Sequence, residues 1–470
     1  MLQFEHFSFS YAKSNRSQLD AINLHIHPGE CVLLCGPSAC GKTTLTKCIN
    51  GLIPHFVNGD TEGTVTLQGE NIATLPPYKI AERVGSVFQN PKTQFFNLDS
   101  NSELVFGLEN LGVPASDINT RIRTVTADLH IDDLLDKKVL KLSGGEKQIL
   151  ALASIYAVNP DVYVLDEPSS NIDQAGIENL CAILSTLKAQ GKTIIISEHR
   201  LYFLMDLIDR AVYINHGVIQ TIYTGDELRT MNEATRIALG LRTFSLQSPA
   251  ATPSPASECT GTLVVDQVSL GYKKTPLLTG LSFAADPGDI IAVTGNNGSG
   301  KSALLRVLCG LMKTQSGEIR YQGAPVSYKK RRQLCYMTMQ DVVHQLFSDS
   351  VWEEFGLLNK TISPARITAI LERLDLLSTK DKHPMTLSGG QKQRLALAVA
   401  AIANKDILIF DEPTSGLDYA NMCKVGALIK ELAEDKIIFV ATHDQELKAL
   451  LCTREIAIHN GTASLYDLNQ

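Results

Sequence analysis

One eight-residue pattern occurs twice along the chain, and the residues around it recur in the same order. Gly36-Pro37-Ser38-Ala39-Cys40-Gly41-Lys42-Thr43 returns as Gly295-Asn296-Asn297-Gly298-Ser299-Gly300-Lys301-Ser302. Leu142-Ser143-Gly144-Gly145-Glu146 returns as Leu387-Ser388-Gly389-Gly390-Gln391, Asp166-Glu167-Pro168 as Asp411-Glu412-Pro413, and His199 as His443. The copies are offset by 259 residues at the lysines, 251 between Gln89 and Gln340, 245 at the aspartates and 244 at the histidines. An offset that shrinks gradually while order is kept marks a duplicated domain with small deletions, not a solenoid of short repeats. The chain therefore folds as two similar halves, and its 470 residues exceed what one ordinary core organises.

The seam falls in Gln247 to Glu258, where three prolines among Ser, Ala and Thr cannot build a packed core. This reads as a semi-extended linker between a first domain, 1–246, and a second, 259–470. Fully extended it reaches about 40 Å, enough to let two domains face each other. Just before it, Gly225 to Leu241 has the apolar spacing of a helix, with Leu228, Met231, Ala234, Ile237 and Leu241 expected against the first domain. Each half starts with strand-like alternation and then carries short apolar runs between helical patterns. Cys31–Cys35, Val162–Leu165 and Thr193–Ile196 are such runs in the first half; Ile290–Thr294, Ile407–Phe410 and Ile437–Ala441 are those of the second. This pattern predicts an α/β fold with a parallel core sheet in each half.

Bulk properties narrow the function. A net charge of −7 argues against a nucleic-acid surface, and Lys329-Lys330-Arg331-Arg332 reads as a solvated face. Ten cysteines are scattered, mostly in apolar runs, without ligand spacing, so no zinc or iron–sulfur site is expected, and the thiols read as reduced and cytosolic. Cys40 stands two residues before Lys42, whose charge could lower its pKa, although a small loop-filling residue is the simpler reading. No secretory signal is visible, and no apolar run approaches the roughly 20 residues of a membrane helix.

The repeated string, G-x4-G-K-[ST], lets backbone N–H groups wrap phosphates at the positive end of a helix. Lys42 and Lys301 should reach terminal phosphates, and Thr43 and Ser302 should ligate Mg2+. Thr44 and Ala303 follow in the same helix start. Asp166 and Asp411 end apolar strands and should hold Mg2+; Glu167 and Glu412 would act as general bases toward water. Ser143-Gly144-Gly145-Glu146 and Ser388-Gly389-Gly390-Gln391 match a helix capping box, and the paired glycines also permit close approach of a phosphate. Tyr11 and Tyr272 precede the two loops and could stack on adenine or pack in the core.

Together these motifs resemble ABC-type ATPases over almost the whole chain: P-loop, glutamine loop, LSGG signature, Asp-Glu strand, Ser-x-x-Asp loop and switch histidine. The resemblance implies in each half a mostly parallel core sheet with an antiparallel β part and a helical subdomain, with ATP and Mg2+ as ligands. It implies catalytic roles for Glu167, His199, Glu412 and His443, and metal or nucleotide contact for Gln89 and Gln340. It further implies that each signature completes the other half's ATP site, the two domains pairing within one chain. Asp173 and Asp418 would then lie at that interface.

A finer resemblance is to the ATPases of energy-coupling factor (ECF) importers, carried by Phe88-Gln89-Asn90-Pro91-Lys92-Thr93-Gln94, Phe106-Gly107-Leu108-Glu109-Asn110 and Ser197-Glu198-His199-Arg200. It implies a peripheral subunit on the cytoplasmic membrane face, partnered by a transmembrane coupling protein and a substrate-binding membrane subunit, importing a vitamin or other micronutrient. Met339-Gln340-Asp341 departs from this pattern, though Gln345 matches Gln94. The alternatives are a ribosome-acting tandem ATPase or another transporter class. Ribosome-acting relatives usually join their domains by a charged helical linker, which this seam is not. DNA-repair ATPases insert a coiled coil between P-loop and signature, and the intervals of 101 and 87 residues leave no room for one.

Overall fold

The computed structural model describes residues 1–12, 17–170, 172–246, 251–253, 261–272, 275–358 and 362–468. It divides into two compact units, Met1–Ser245 and Leu246–Gln470. Each unit is α/β.

In the first unit a six-stranded sheet runs Val218–Thr224, Arg210–Asn215, Cys31–Cys35, Thr193–Ser197, Val162–Asp166, Val84–Val87. All neighbours are parallel except the first pair. Cys31–Cys35, Val162–Asp166 and Thr193–Ser197 are buried at every position, which is why they read as unbroken apolar runs. A second, antiparallel sheet of Leu19–Ile26, Leu2–Tyr11, Gly59–Leu67 and Glu70–Asn71 carries the alternating strands. Because the core strands are parallel and in register, their carboxyl ends share one edge. Leu34 and Asp166 both pair with Ser197 there. Loops leaving that edge carry the P-loop, the two acids, the histidine and Gln89.

The second unit repeats the plan. Its large sheet runs Ala251–Pro253, Thr462–Leu468, Arg454–His459, Ile290–Gly295, Ile437–Ala441, Ile407–Asp411, Cys335–Thr338. Its antiparallel sheet comprises Thr275–Ala285, Leu263–Tyr272, Ser316–Tyr321 and Ala324–Pro325. Of the expected linker 247–258, residues 247–250 and 254–258 lie outside the described residues. Ala251–Pro253 form an edge strand against Tyr466–Leu468.

Two expectations are corrected. The run Gly225 to Leu241 is two short helices, Gly225–Arg229 and Glu233–Ala238. Asn232 stops continuation by capping the second helix through the Thr235 N–H. Leu228 and Leu241 are buried, while Ile237 is exposed. Arg331 is not solvated: it is buried, donating to the Val307 and Val326 carbonyls at 3.0 and 3.1 Å. The helical subdomains are also unequal. The first half has Ser100–Asn110 and Ala115–Leu129; where the second half aligns with Ser100–Asn110 it has a five-residue 3-10 turn, Glu353–Leu357, before the helix Pro364–Arg373. The interval from glutamine to signature is accordingly 48 residues in the second half against 54 in the first. Among the described residues, no helix is long and apolar enough to cross a membrane.

Candidate functional site

Gly36 leaves the strand Cys31–Cys35 at φ 138, and a Cβ there would stand 2.0 Å from the Ile214 carbonyl oxygen. Only glycine fits both constraints. Gly36→Ala is accordingly expected to destabilise the fold by about 3 kcal/mol. A urea midpoint equal to wild type would show that the turn relaxes freely.

The loop curls over a buried ammonium. Lys42 Nζ donates to the Gly36 and Pro37 carbonyls, each at 2.9 Å. Lys301 Nζ donates to Gly295 O at 2.7 Å and Asn296 O at 3.2 Å. A desolvated cation at the start of a helix, Lys42–Ile49 or Lys301–Leu308, favours an anion beside it. Ser38, Ala39, Cys40 and Gly41, and in the second half Asn297, Gly298, Ser299 and Gly300, complete the two loops. Burial pushes the Cys40 thiol up despite the nearby Lys42, so the expected lowering by that cation is outweighed.

Asp166 and Asp411 are buried at the strand ends, and burial raises both carboxyls. The Thr43 and Ser197 hydroxyls and Lys42 oppose this at Asp166; at Asp411 the Ser302 hydroxyl, donating at 3.2 Å, and Lys301 do so. Asp166 Oδ1 is buried without a hydrogen-bond partner among the described residues. The donors are therefore hydroxyl and carboxylate oxygens only, with an acceptor unfilled. That chemistry fits Mg2+, a small hard cation.

Glu167 and Glu412 follow, with φ 47 and 52, a backbone region that costs a non-glycine residue about 1 kcal/mol or more. Their amides donate to Ser197 O and Ala441 O, locking both turns to the next strand. Burial first, then the Asp166 and Glu198 carboxylates, pushes Glu167 up to about 8, against Lys42 and Gln89. Gln89 Nε2 donates to Glu167 Oε2 at 2.6 Å, and His199 Nε2 is 3.7 Å from Oε1. In the second half His443 Nε2 is 3.8 Å from Glu412 Oε1. Gln340 is exposed and shares no hydrogen bond with Glu412 among the described residues. The Gln94 and Gln345 match has a structural cause. Each side chain bridges its loop to the preceding strand: Gln94 to Phe88 N and Ser86 O, Gln345 to Met339 N and Met337 O.

Both signatures form capping boxes. Ser143 Oγ accepts from Glu146 N at 3.2 Å, and Ser388 Oγ from Gln391 N at 3.3 Å. Each hydroxyl keeps its own hydrogen for another acceptor. A Cβ at Gly389 would meet nothing within 4 Å, so that face is open. The residues Ser143, Gly144, Gly145 and Ser388, Gly389, Gly390 share no hydrogen bond with the lysine loop of their own half among the described residues. Asp173 and Asp418 cap helices through Gly176 N and Asn421 N. Tyr11 bonds the Thr44 hydroxyl at 3.0 Å and packs edge-on against Phe9, while Tyr272 is 55% exposed.

Sequence reasoning gives no role to Glu198, Thr442, Thr414 or Asp444, which tie the loops around each histidine. Their signal is a residue type that differs between copies beside a residue that does not.

A family model described as ABC transporter matches residues 19–170 and 278–415. A protein of Treponema denticola, provisionally named an ABC transporter ATP-binding protein, is 46% identical over 98% of this chain and 96% of its own length. A Bacillus subtilis protein, provisionally named the HMP/thiamine import ATP-binding protein YkoD, is 31% identical over 98% of this chain and 90% of its own. Among solved structures, an archaeal ribosome recycling factor in complex with a ribosomal stalk protein is similar at a TM-score of 0.66 and 21% identity, covering 97% of this chain and 89% of that one. At that identity the likeness concerns the fold alone.

Proposed function

The chain belongs to the ABC transporter family, and from that premise we propose that it is the ATP-hydrolysing motor of an ECF-type membrane importer for a vitamin or other micronutrient. The family's ATPase domains bind ATP, generally with Mg2+. The observation that carries catalysis is the cluster repeated in both halves: a buried ammonium, a hydroxyl facing an aspartate, and a glutamate beside a histidine.

In this reading Lys42 and Lys301 hold terminal phosphates with the backbone N–H groups of their loops. Thr43 with Asp166, and Ser302 with Asp411, would hold Mg2+, which when bound neutralises charge on phosphoryl oxygens. Glu167 and Glu412 accept the proton of the attacking water, and His199 and His443 orient it. Gln89 and Gln340 would each approach the ion of their own half, and the signature serines and glycines would supply hydrogen bonds to a terminal phosphate. Tyr272 is free to stack on adenine, whereas Tyr11 first has its own bond to Thr44.

The transport half of the proposal is supported by the relative named for HMP/thiamine import and by the ECF-like segments around Gln89. Exposed apolar side chains between glutamine loop and signature also support it: Phe96 and Leu98 in the first half, Phe347 and Leu357 in the second. Such residues suit a protein partner. Co-expression with its membrane subunits should carry the chain into the membrane fraction, with release into the soluble phase in their absence. Sedimentation with ribosomes instead would overturn the transport reading and favour a translation role.

A further inference from the structure

The residue before the histidine differs between the halves: Glu198 in the first, Thr442 in the second. Glu198 is buried, and its carboxylate is filled by backbone donors. Oε1 accepts from His199 N at 2.7 Å and Arg200 N at 3.1 Å; Oε2 accepts from Ser169 N at 3.1 Å. Both Glu198 oxygens are turned to backbone N–H groups as acceptors, so Glu198 donates no bond to Glu167, and it has also taken the histidine's amide. Glu167 Oε2 is held instead by Gln89 at 2.6 Å.

Threonine reverses each of these contacts. Thr442 Oγ1 donates to Glu412 Oε2 at 3.3 Å, and His443 N donates to Glu412 Oε1 at 3.1 Å. The tie between the loops passes to Asp444, one residue after the histidine, which accepts from Thr414 Oγ1 at 2.7 Å. Gln340 takes no part in holding Glu412.

We infer that this one position decides what holds the hydrolytic glutamate: the glutamine loop in the first half, the histidine loop in the second. Glu198 is thus a positioning residue that makes the halves unequal. Gln89 begins the segment leading through Pro91–Thr93 to the helix Ser100–Asn110. Movement of that segment would shift Glu167, while Glu412 is insulated from its own counterpart. The inference rests on the general-base reading of the two glutamates.

The test is a double-mutant cycle in the full chain, reading kcat and KM for ATP at saturating Mg2+. It is run with Glu412→Gln present, so that turnover reports the first glutamate. Should that change alone stop all turnover, the sites are coupled, and the unmodified chain reports the same first-site effect. Gln89→Ala should lower kcat about tenfold at nearly constant KM, the scale of one charge-assisted hydrogen bond. With Glu198→Thr present, the same change should lower kcat less than about threefold, because the introduced hydroxyl and the His199 amide then hold Glu167. Any contact of Gln89 with the metal is common to both backgrounds and cancels.

Equal losses in the two backgrounds would overturn the inference. Should Glu198→Thr melt, Thr442→Val replaces it as the test: about fivefold lower kcat at constant KM is expected, and an unchanged kcat overturns the proposal. If hydrolysis survives in the double variant Glu167→Gln, Glu412→Gln, the general-base reading itself has failed, which is a separate result.

Discussion

Replacing both Glu167 and Glu412 by glutamine should lower ATP hydrolysis about a thousandfold while ATP stays bound, because a positioned general base contributes about 10²–10⁴ in rate. Glutamine keeps the shape and one acceptor oxygen but cannot take a proton from water. The amide oxygen can accept from Gln89 in one half and from His443 N in the other, where the amide NH2 can donate to the Thr442 hydroxyl oxygen. The fold should therefore survive. For Glu167 the sign favours the variant. Burial and two neighbouring carboxylates lift its carboxyl to about 8, so the charged form is disfavoured in the fold. Stability tied to this group falls as pH rises from the ordinary carboxylate range through about 8, and an amide escapes that loss. The melting temperature of the double variant at neutral pH should be no lower than wild type. Bound nucleotide retained through gel filtration, with hydrolysis near background, is the expected pair of results. Undiminished hydrolysis would remove both glutamates from the mechanism.

Loss of both lysines should act one step earlier. Lys42 and Lys301 are buried ammonium groups whose partners are loop carbonyls. Alanine there removes the charge proposed to face the phosphates and leaves those carbonyls without their donors. Charge-assisted hydrogen bonds contribute about 1.5–3 kcal/mol each, so Lys42→Ala with Lys301→Ala should weaken ATP binding about 100-fold. Calorimetric titration with Mg2+ present measures this directly. Affinity within threefold of wild type would mean that backbone N–H groups alone hold the nucleotide.

Much of the fold and of the site is legible in the residue order. The buried strands are continuous apolar runs, and the sharp turns are marked by glycine, so the order of elements follows from local chemistry. Gly36 and Gly295 can be assigned because only glycine adopts the backbone that a phosphate loop needs. Asp166 and Glu167 stand out because two acids ending a buried strand are costly unless used. Helix boundaries are less legible. Gly225 to Leu241 has helical spacing throughout, but Asn232 offers the backbone a better local bond than continuation would. Arg331 looks solvated among three other basic residues, yet it is buried and donates to two backbone carbonyls.

The amino-acid order by itself determined that this protein has two similar halves of the ABC family, and it singles out in each the residues proposed for phosphate, metal and water activation. Those assignments depend on residue type and spacing within short segments, which the chain carries in one dimension. Only the tertiary structure decided which group holds each glutamate. Gln89 and Glu167 are 78 residues apart, and Glu198 and Ser169 are 29 apart. They meet because parallel strands bring distant loops to one edge. Matched sequences of motifs can therefore conceal unequal hydrogen bonding, since an acceptor-only glutamate and a donating threonine at one position direct the neighbouring backbone and side chains to different partners.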